Sequence, residues 1–256
     1  MNEHIDMKIS GSSTMPGGEY GSVSISGAGK VNGSLKCEEL HCSGAAKVQG
    51  DVDCAGELHT SGAGKIAGSV RCGSLSASGD FSAQSVQVEG LASVSGSLRT
   101  ERALTADELS ASGSLEAGSV HCRAFRASGS CWVSGDLEAE TAVLSGAAEI
   151  DGLLNAETVE ISANCAVRIH AIGGGSIHIL QKDTAVILGL FRTTPGRARI
   201  GSIEGDDIEL ENVEADIVRG KYVRIGHGCR IGTVEYGENL EAEPGTVSRS
   251  TQTGAK

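Results

Sequence analysis

The sequence predicts an all-β protein, a single strand of chain wound into a triangular β-helix with coils of about 17 residues. Three observations predict this fold: a short internal repeat, an apolar alternation inside each repeat, and an unusual composition. The 256 residues include 37 glycines but only three phenylalanines, three tyrosines and one tryptophan. Because aromatic side chains bury the most area per residue, their scarcity predicts a thin core of small aliphatic side chains.

The repeat is clearest in three segments that share the pattern Ser-Gly-Ala-small-Lys-aliphatic-x-Gly-x-aliphatic-x-Cys. They cover residues 26–37, 43–54 and 61–72. Their first glycines, Gly27, Gly44 and Gly62, are almost equally spaced and set the period, and weaker copies begin at Ser78, Ser112, Ser128 and Ser145. This period is too short for leucine-rich or helical repeats, and each glycine would weaken a helix by about 1 kcal/mol.

Within each repeat, apolar positions alternate with polar ones, as in Val31, Gly33, Leu35 and Cys37. A period of two indicates strands with one buried face.

The number of sides follows from similar phrases that begin at Leu75, Val86 and Leu109. The step from Leu75 to Val86 is much shorter than the step from Val86 to Leu109, yet the two together span two ordinary repeats. We interpret the uneven spacing as a slip by one third of a coil, which predicts three sides of about six residues each.

Parallel pairing of each coil with the next, about 4.8 Å away, would stack residues that lie one period apart. Such stacking predicts an inward column of thiols. Its members would be Cys37, Cys54, Cys72 and Cys122. It also predicts an outward ladder of alternating charge formed by Lys36, Asp53 and Arg71.

Four regions follow from the distribution of the repeat. Residues 1–20 and 241–256 are polar and predict disordered tails, residues 21–162 carry the repeat, and residues 163–240 are a β-rich continuation. We expect a loop near Phe191–Arg199 to interrupt the continuation.

The formal net charge of −12 opposes non-specific binding to nucleic acids, which needs a basic surface. The N-terminal residues lack the profile of a signal peptide, and no apolar stretch is long enough to span a membrane. We therefore expect a cytoplasmic location and eight reduced cysteines. A position at the inner face of the cell membrane stays open.

Stacked repeats would also align Lys30, Lys47 and Lys65 into a column of like charge. Solvated turn lysines are one interpretation, and a strip that binds an anionic polymer or lipid headgroups is another. The phrase Gly27-Ala28-Gly29-Lys30 lacks the spacing and the helix of a phosphate-binding loop, so we expect no cofactor.

Cysteine and histidine recur with the coil period and without close Cys-x-x-Cys pairs, so we expect core thiols and no metal site. Residues 223–232, with His227 at their centre, look like a step of the hexapeptide-repeat acyltransferases, which use a histidine as general base. Only one clean step, between Ile225 and Ile231, is present. No Ser-His-Asp arrangement is evident from the order of residues alone.

The short coils, Ser-Gly turns and small aliphatic core together resemble the bactofilins, which are polymer-forming bacterial cytoskeletal proteins. The phrases that carry the resemblance are Val31-Asn-Gly-Ser-Leu35, Ile66-Ala-Gly-Ser-Val70 and Val133-Ser-Gly-Asp-Leu137. The resemblance implies a non-enzymatic scaffold that self-assembles into filaments without nucleotide and serves cell shape, polarity or motility. A related bactofilin and cell-envelope or motility proteins are the further partners that it implies.

Two other functions stay open at this stage. One is a β-helical acyltransferase with His227 as its base. The other is a module that binds an anionic cell-envelope polymer through Lys30, Lys47 and Lys65. The uncapped ends of a β-helix favour the filament, because exposed strand edges can pair with those of another molecule.

Overall fold

A computed structural model describes residues 5–163, 165–181 and 197–253. All regular elements in these three ranges are β-strands, which confirms the predicted fold class. The described residues contain no helix that is long and apolar enough to cross a membrane. The chain divides into two compact units, Met1–Phe125 and Arg126–Lys256, and each is a β-solenoid in its own right.

The described part of the first unit contains sixteen strands, the last of which continues to Ala127. They are β1 (Met7–Ile9), β2 (Ser12–Glu19), β3 (Ser22–Ile25), β4 (Ala28–Cys37), β5 (Glu39–Cys42), β6 (Ala45–Val48), β7 (Val52–Thr60), β8 (Ala63–Ile66), β9 (Ser69–Ala77), β10 (Asp80–Ala83), β11 (Ser85–Val88), β12 (Leu91–Val94), β13 (Ser97–Thr100), β14 (Ala103–Ala111), β15 (Ser114–Ala117) and β16 (Ser119–Ala127).

Within the first unit, strands pair in parallel with the strand one coil further on. Leu40 on β5 is in register with Leu58 on β7, and Leu58 is in register with Leu75 on β9. One coil has three straight segments, for example β5, β6 and the beginning of β7. The predicted three-sided coil and its period are therefore confirmed.

The predicted slip by one third of a coil is wrong. Val86 pairs with Val70 and Leu104, whereas Leu75 and Leu109 both pair with Ala92. The phrase at Val86 thus lies on a different side of the coil from the other two phrases. The coil length changes little there. The phrases resemble one another because two sides of the triangular coil carry similar residues.

The core of the first unit is as thin as the composition predicts. Its inward positions hold mostly Val, Leu, Ile, Ala and Cys, and Phe125 is the largest fully buried side chain. Columns such as Val31, Val48 and Ile66 continue from coil to coil in register. Stacked aliphatic side chains therefore fill the space that aromatic clusters occupy in thicker domains.

The Ser-Gly pairs form corners where consecutive coils approach most closely. At the second corner, the amides of Ser43 and Gly44 both donate to the carbonyl of Ile25, at 2.9 and 3.1 Å. A Cβ atom on Gly62, at the third corner, would lie 1.9 Å from the carbonyl oxygen of Gly44. Gly11 is the counterpart in the first described coil, and a Cβ there would meet nothing within 4 Å. Glycine is thus required wherever another coil lies directly below.

The described part of the second unit contains eight further strands. They are β17 (Ser130–Val133), β18 (Leu137–Leu144), β19 (Ala147–Ser162), β20 (Val167–Leu180), β21 (Ala198–Leu210), β22 (Val213–Ile225), β23 (Arg230–Ala242) and β24 (Val247–Gln252). Pairing is again parallel and in register, as in the buried column Ile150, Ile169, Ile200, Ala215 and Ile231.

Coils therefore persist in the described residues between 163 and 240, where the sequence period fades. The pairing of Ile169 with Ile200 spans a longer step than the pairing of Ile200 with Ala215, and the longer step includes residues 182–196. Most of the predicted Phe191–Arg199 loop lies outside the described residues, and Ala198 already belongs to β21. Gly173–Gly175 lie within β20, where Gly174 is in register with Gly205.

The predicted disordered tails are wrong for the described residues they include. Met7–Ile9 and Ser12–Glu19 form β1 and β2, and Val247–Gln252 form β24. Polar composition misled the prediction because a terminal strand is held mainly by backbone hydrogen bonds to its neighbour, which any side chain permits. Ile9 and Met15 also supply buried side chains to the first coil.

The corner geometry predicts that Gly62→Ala destabilises the protein by about 1–3 kcal/mol or more, because its Cβ would overlap a backbone oxygen. Gly237→Ala is the matched control, since the atom nearest to its added Cβ would be the Cα of Lys221, at 3.6 Å. Urea unfolding followed by circular dichroism measures both variants. Equal unfolding midpoints for the two would contradict the proposed role of the corner.

Candidate functional site

The three predicted lysines lie side by side on one outer face of the first unit. Lys30 on β4 is in register with Lys47 on β6, which is in register with Lys65 on β8. All three are exposed. Strand spacing places their Cα atoms about 4.8 Å apart from coil to coil.

This lysine row continues in both directions with other polar side chains. Thr14 precedes Lys30, and Ser82 and Arg99 follow Lys65. Arg99 is neutralised by Glu116, with 2.6 Å between its Nε and the carboxylate oxygen Oε2. The three lysines therefore form the uncompensated part of the row.

An open groove of about 830 Å³ follows the lysine row across six coils. Ala28, Ala45 and Ala63, two residues before each lysine, contribute only methyl groups to its surface and are exposed. Asp80 is an acidic residue of the lining, in register with Ala63. We call this surface, defined by the three alanines and the three lysines, the lysine groove.

The lysine groove stacks three basic side chains in register, Lys30, Lys47 and Lys65, and none of the three has a carboxylate partner among the described residues. Elsewhere, Lys36 pairs with Glu19 at 3.2 Å, and Arg71 pairs with Glu89 at 2.9 Å. Stacked like charges cost free energy unless an anion is present, which makes this face a candidate surface for anion binding.

The outward ladder Lys36, Asp53 and Arg71 is in register as predicted. Its closest ion pairs, however, join Lys36 and Arg71 to glutamates outside the ladder, as the preceding distances show. These pairs are exposed, and each contributes at most about 1 kcal/mol. The ladder therefore supports register only weakly.

The cysteines form a core feature and not a surface one. Cys37, Cys54 and Cys72 occupy adjacent rungs of one inward column, and all are at most 4 % exposed. Val88 follows Cys72 in this column. Cys122, predicted to lie further along the column, is also buried. The thiol of Cys54 donates to the carbonyl of Glu57 at 3.3 Å.

Burial raises the pKa of most of these thiols, whereas a hydrogen bond with Cys37 lowers the pKa of Cys54. Desolvation raises the pKa of Cys72, Cys122 and Cys131 to about 12. A hydrogen bond with Cys54, reinforced by burial, raises the pKa of Cys37. All three thiols of the column are at most 4 % exposed, so the column serves packing and is poorly suited to nucleophilic chemistry, which needs an accessible thiolate.

His227 lies in the turn between β22 and β23, with its side chain exposed. Its Nδ1 is 3.7 Å from Oε1 of Glu211, and its Nε2 is 3.3 Å from the side-chain oxygen of Gln181. Its backbone carbonyl accepts a hydrogen bond from the amide of Asn212. These contacts suit a turn histidine, and acyl transfer by His227 stays a prediction.

The structure brings together one further group that the sequence alone does not reveal. Ser176 Oγ lies 2.9 Å from Nε2 of His178 on the outer face of β20, and Nδ1 of the same ring lies 3.5 Å from Glu209 on β21. Arg224 also contacts Glu209, at 3.3 Å, and draws on the same carboxylate. Since Ser176 and Glu209 are far apart in the sequence, only coil stacking could have identified this cluster.

Metal binding finds no support in the described ranges, where no group of three or more His, Cys, Asp or Glu side chains could hold an ion. His41 and His59 lie on adjacent coils with ring centroids 6.0 Å apart.

Comparison with known proteins connects the N-terminal coils to one family. Residues 2–82 match the family model described as "Bactofilin: Polymer-forming cytoskeletal". This match confirms the resemblance for that part of the chain, which includes most of the lysine groove.

Two proteins of Bacillus subtilis (strain 168) are also similar. "Uncharacterized protein YhbF" is 41 % identical over 76 residues, which are 30 % of this chain and 30 % of that protein. "Uncharacterized protein YhbE" is 48 % identical over 54 residues, 21 % of this chain and 22 % of that protein. The similarity thus spans less than a third of each relative. No solved structure matches the chain significantly.

The environment of the thiols predicts selective alkylation. With iodoacetamide at about pH 8, the partly exposed Cys165 should react first, and the seven buried cysteines should react only after guanidinium unfolding. Mass spectrometry of the tryptic peptides measures this order, and Cys165→Ser should remove the fast phase. Labelling of Cys72 at the same rate in native and unfolded protein would contradict its burial.

The raised thiol pKa values also predict a loss of stability in alkali. Unfolded Cys72 loses its proton near pH 9, whereas the folded thiol keeps it until about pH 12. Stability from this thiol is therefore complete below about pH 9 and falls between the two values, by up to about 1.4 kcal/mol per pH unit. The Cys72→Val variant carries at position 72 the same residue as Val88, its neighbour in the column. Its free energy of unfolding, measured with urea, should fall less steeply with pH in this range. A slope identical to that of the native sequence would contradict the assignment.

Proposed function

We propose that this protein, whose residues 2–82 match the bactofilin model, is a cytoskeletal scaffold that assembles without nucleotide into filaments through its coil edges. The observation that carries the proposal is the open strand edge of the first coil. β1 pairs with β3 and β2 pairs with β4, and no described strand covers their other edges.

Backbone geometry supports this edge as an assembly surface. The carbonyl of Ile9 accepts the amide of Ser26, so Ile9 directs its backbone groups towards the second coil. Because neighbouring residues of a strand point their amides in opposite directions, the N–H of Lys8 points to the open side. An unpaired edge of this kind is a template for a strand from another molecule.

A second open edge lies in the other unit. β24 pairs with β23 on one side, and most of its side chains are exposed. Leu240 continues the buried column Val159, Ile177, Ile208 and Val223, yet it is only half-buried. The described residues of β24 pair with Ile231–Tyr236 of β23 and not with Leu240. A further coil placed on the part of β23 that contains Leu240 would complete the burial of this side chain, which favours assembly there as well.

Independence from nucleotide is consistent with the local structure of the glycine-rich phrase at Gly27. Ala28–Cys37 form a strand, and Gly29 is an inward position where a Cβ would lie 2.8 Å from Ile25. A phosphate-binding loop needs backbone amides that converge on the anion at the start of a helix. The amides of this strand belong instead to the parallel ladder.

The scaffold's cellular role follows from the family and not from a site. We propose support of cell shape, polarity or the motility apparatus, with the protein itself as the main partner and a non-enzymatic mode of action in the cytoplasm. Cell-envelope or motility proteins, or a related bactofilin, would then be recruited along the filament.

Electron microscopy of the purified protein without nucleotide tests the proposal, with filaments as the expected result. Lys8→Pro should abolish or shorten them, because proline removes the outward N–H without disturbing the ladder to β3. Lys8→Ala is the matched control, since it removes the same charge and keeps the amide.

Circular dichroism should show that both Lys8 variants stay folded. Uniform small particles from the native sequence would overturn the scaffold proposal. Filaments of normal length from folded Lys8→Pro would instead show that the edge of β1 is not part of the joint.

A further inference from the structure

We propose that the lysine groove binds a linear polymer of phosphate-bearing units, laid parallel to the solenoid axis across the stacked coils. The inference does not rest on filament formation, because the groove belongs to a side face of the first unit and not to a coil edge. It concerns the ligand that the lysine groove binds, whether or not the protein is assembled into filaments.

The shape of the groove selects an extended ligand. Its lining runs from residues 12–14 to Arg99, which is six successive coils and about 24 Å at the spacing of parallel strands. Alanines flank the lysines, so no large side chain blocks the path along the axis. A small molecule would occupy only a fraction of this length.

The charges of the groove select an anion. Lys30, Lys47 and Lys65 stack in register without an ion-pair partner among the described residues, on a chain whose formal net charge is −12. The surrounding acidic surface would repel a polyanion elsewhere and leave this row as its place of contact. Thr14 and Ser82 extend the row, and the hydroxyl group of each can donate a hydrogen bond to a phosphate oxygen.

The spacing of the lysines favours charge carried in the polymer backbone. Successive lysines rise by about 4.8 Å, whereas carboxylates on one face of an extended polypeptide repeat only about every 6.6–6.8 Å. A phosphate in every backbone unit presents charge continuously along the row. Lysine also recognises phosphate as a point charge, without the fork geometry that arginine brings to carboxylates.

Two other macromolecules fit the groove less well. Single-stranded nucleic acids need exposed aromatic rings on which bases stack, and Phe81, the aromatic residue of the lining, is only 3 % exposed. Membrane surfaces favour exposed large apolar side chains that enter the lipid. The described examples of such side chains, Ile5, Leu91, Trp132, Leu153 and Tyr222, all lie outside the lining.

The test measures binding of fluorescently labelled inorganic polyphosphate to the full chain by anisotropy over a range of salt. The triple variant Lys30→Gln, Lys47→Gln and Lys65→Gln should weaken binding at least tenfold. It should also reduce the slope of log K against log salt by about 2, since each lost phosphate contact contributes about 0.7.

Two controls separate the groove from general charge. The variant Lys8→Gln, Lys36→Gln and Lys221→Gln makes the same change in net charge outside the groove and should bind within about twofold of the native sequence. Ala45→Trp adds no charge but fills the groove at an exposed position, and it should weaken polyphosphate binding several-fold.

Three results would overturn the proposal. The first is equal loss of binding in the two triple variants. The second is binding of a single-stranded DNA of the same charge, or of vesicles rich in anionic lipid, at least as tightly as polyphosphate. The third is unchanged binding by Ala45→Trp. Electron microscopy of the groove variant keeps the two proposals distinguishable, because its filaments should form normally even when polymer binding is lost.

Discussion

Parallel pairing between consecutive coils is the interaction on which the rest of this protein depends. Each residue lies directly above its counterpart one coil earlier, so the backbone hydrogen bonds of one coil are completed only by its neighbours. Side chains therefore stack with like side chains, as Leu40, Leu58 and Leu75 do inside and Lys30, Lys47 and Lys65 do outside. Stability and surface chemistry both follow from this repetition, and the proposed means of assembly rests on it too.

Close stacking also sets limits on the sequence. Serine–glycine corners bring the carbonyl of one coil so near the next that Gly27, Gly44 and Gly62 cannot carry a side chain. Some inward columns hold small residues from coil to coil, as Cys42, Thr60, Ala77 and Val94 do. Another column changes size sharply, because Gly64 is followed by Phe81 and Leu98. Because each coil stacks in register on the one before, outward side chains repeat along the solenoid as inward ones do. Such a surface suits a ligand whose groups also repeat.

The period, the three sides and the stacked columns could be predicted from sequence because Gly, Lys and Cys recur at fixed intervals in residues 26–72. The side on which Val86 lies could not, because similar phrases on two sides of a triangle look alike in one dimension. Strands β1, β2 and β24 were missed because backbone pairing holds them despite polar side chains. The Ser176, His178 and Glu209 cluster depends on the register of β20 with β21, across a coil of unusual length.

High-resolution cryo-electron microscopy of the filament joint tests the central claim most directly, namely that coil-on-coil pairing continues from one molecule to the next. The account predicts strands of adjoining subunits at about 4.8 Å, the spacing found within each unit, with β1 or β24 at the joint. Joints formed by side faces, with the edges of β1 and β24 left open to solvent, would contradict it.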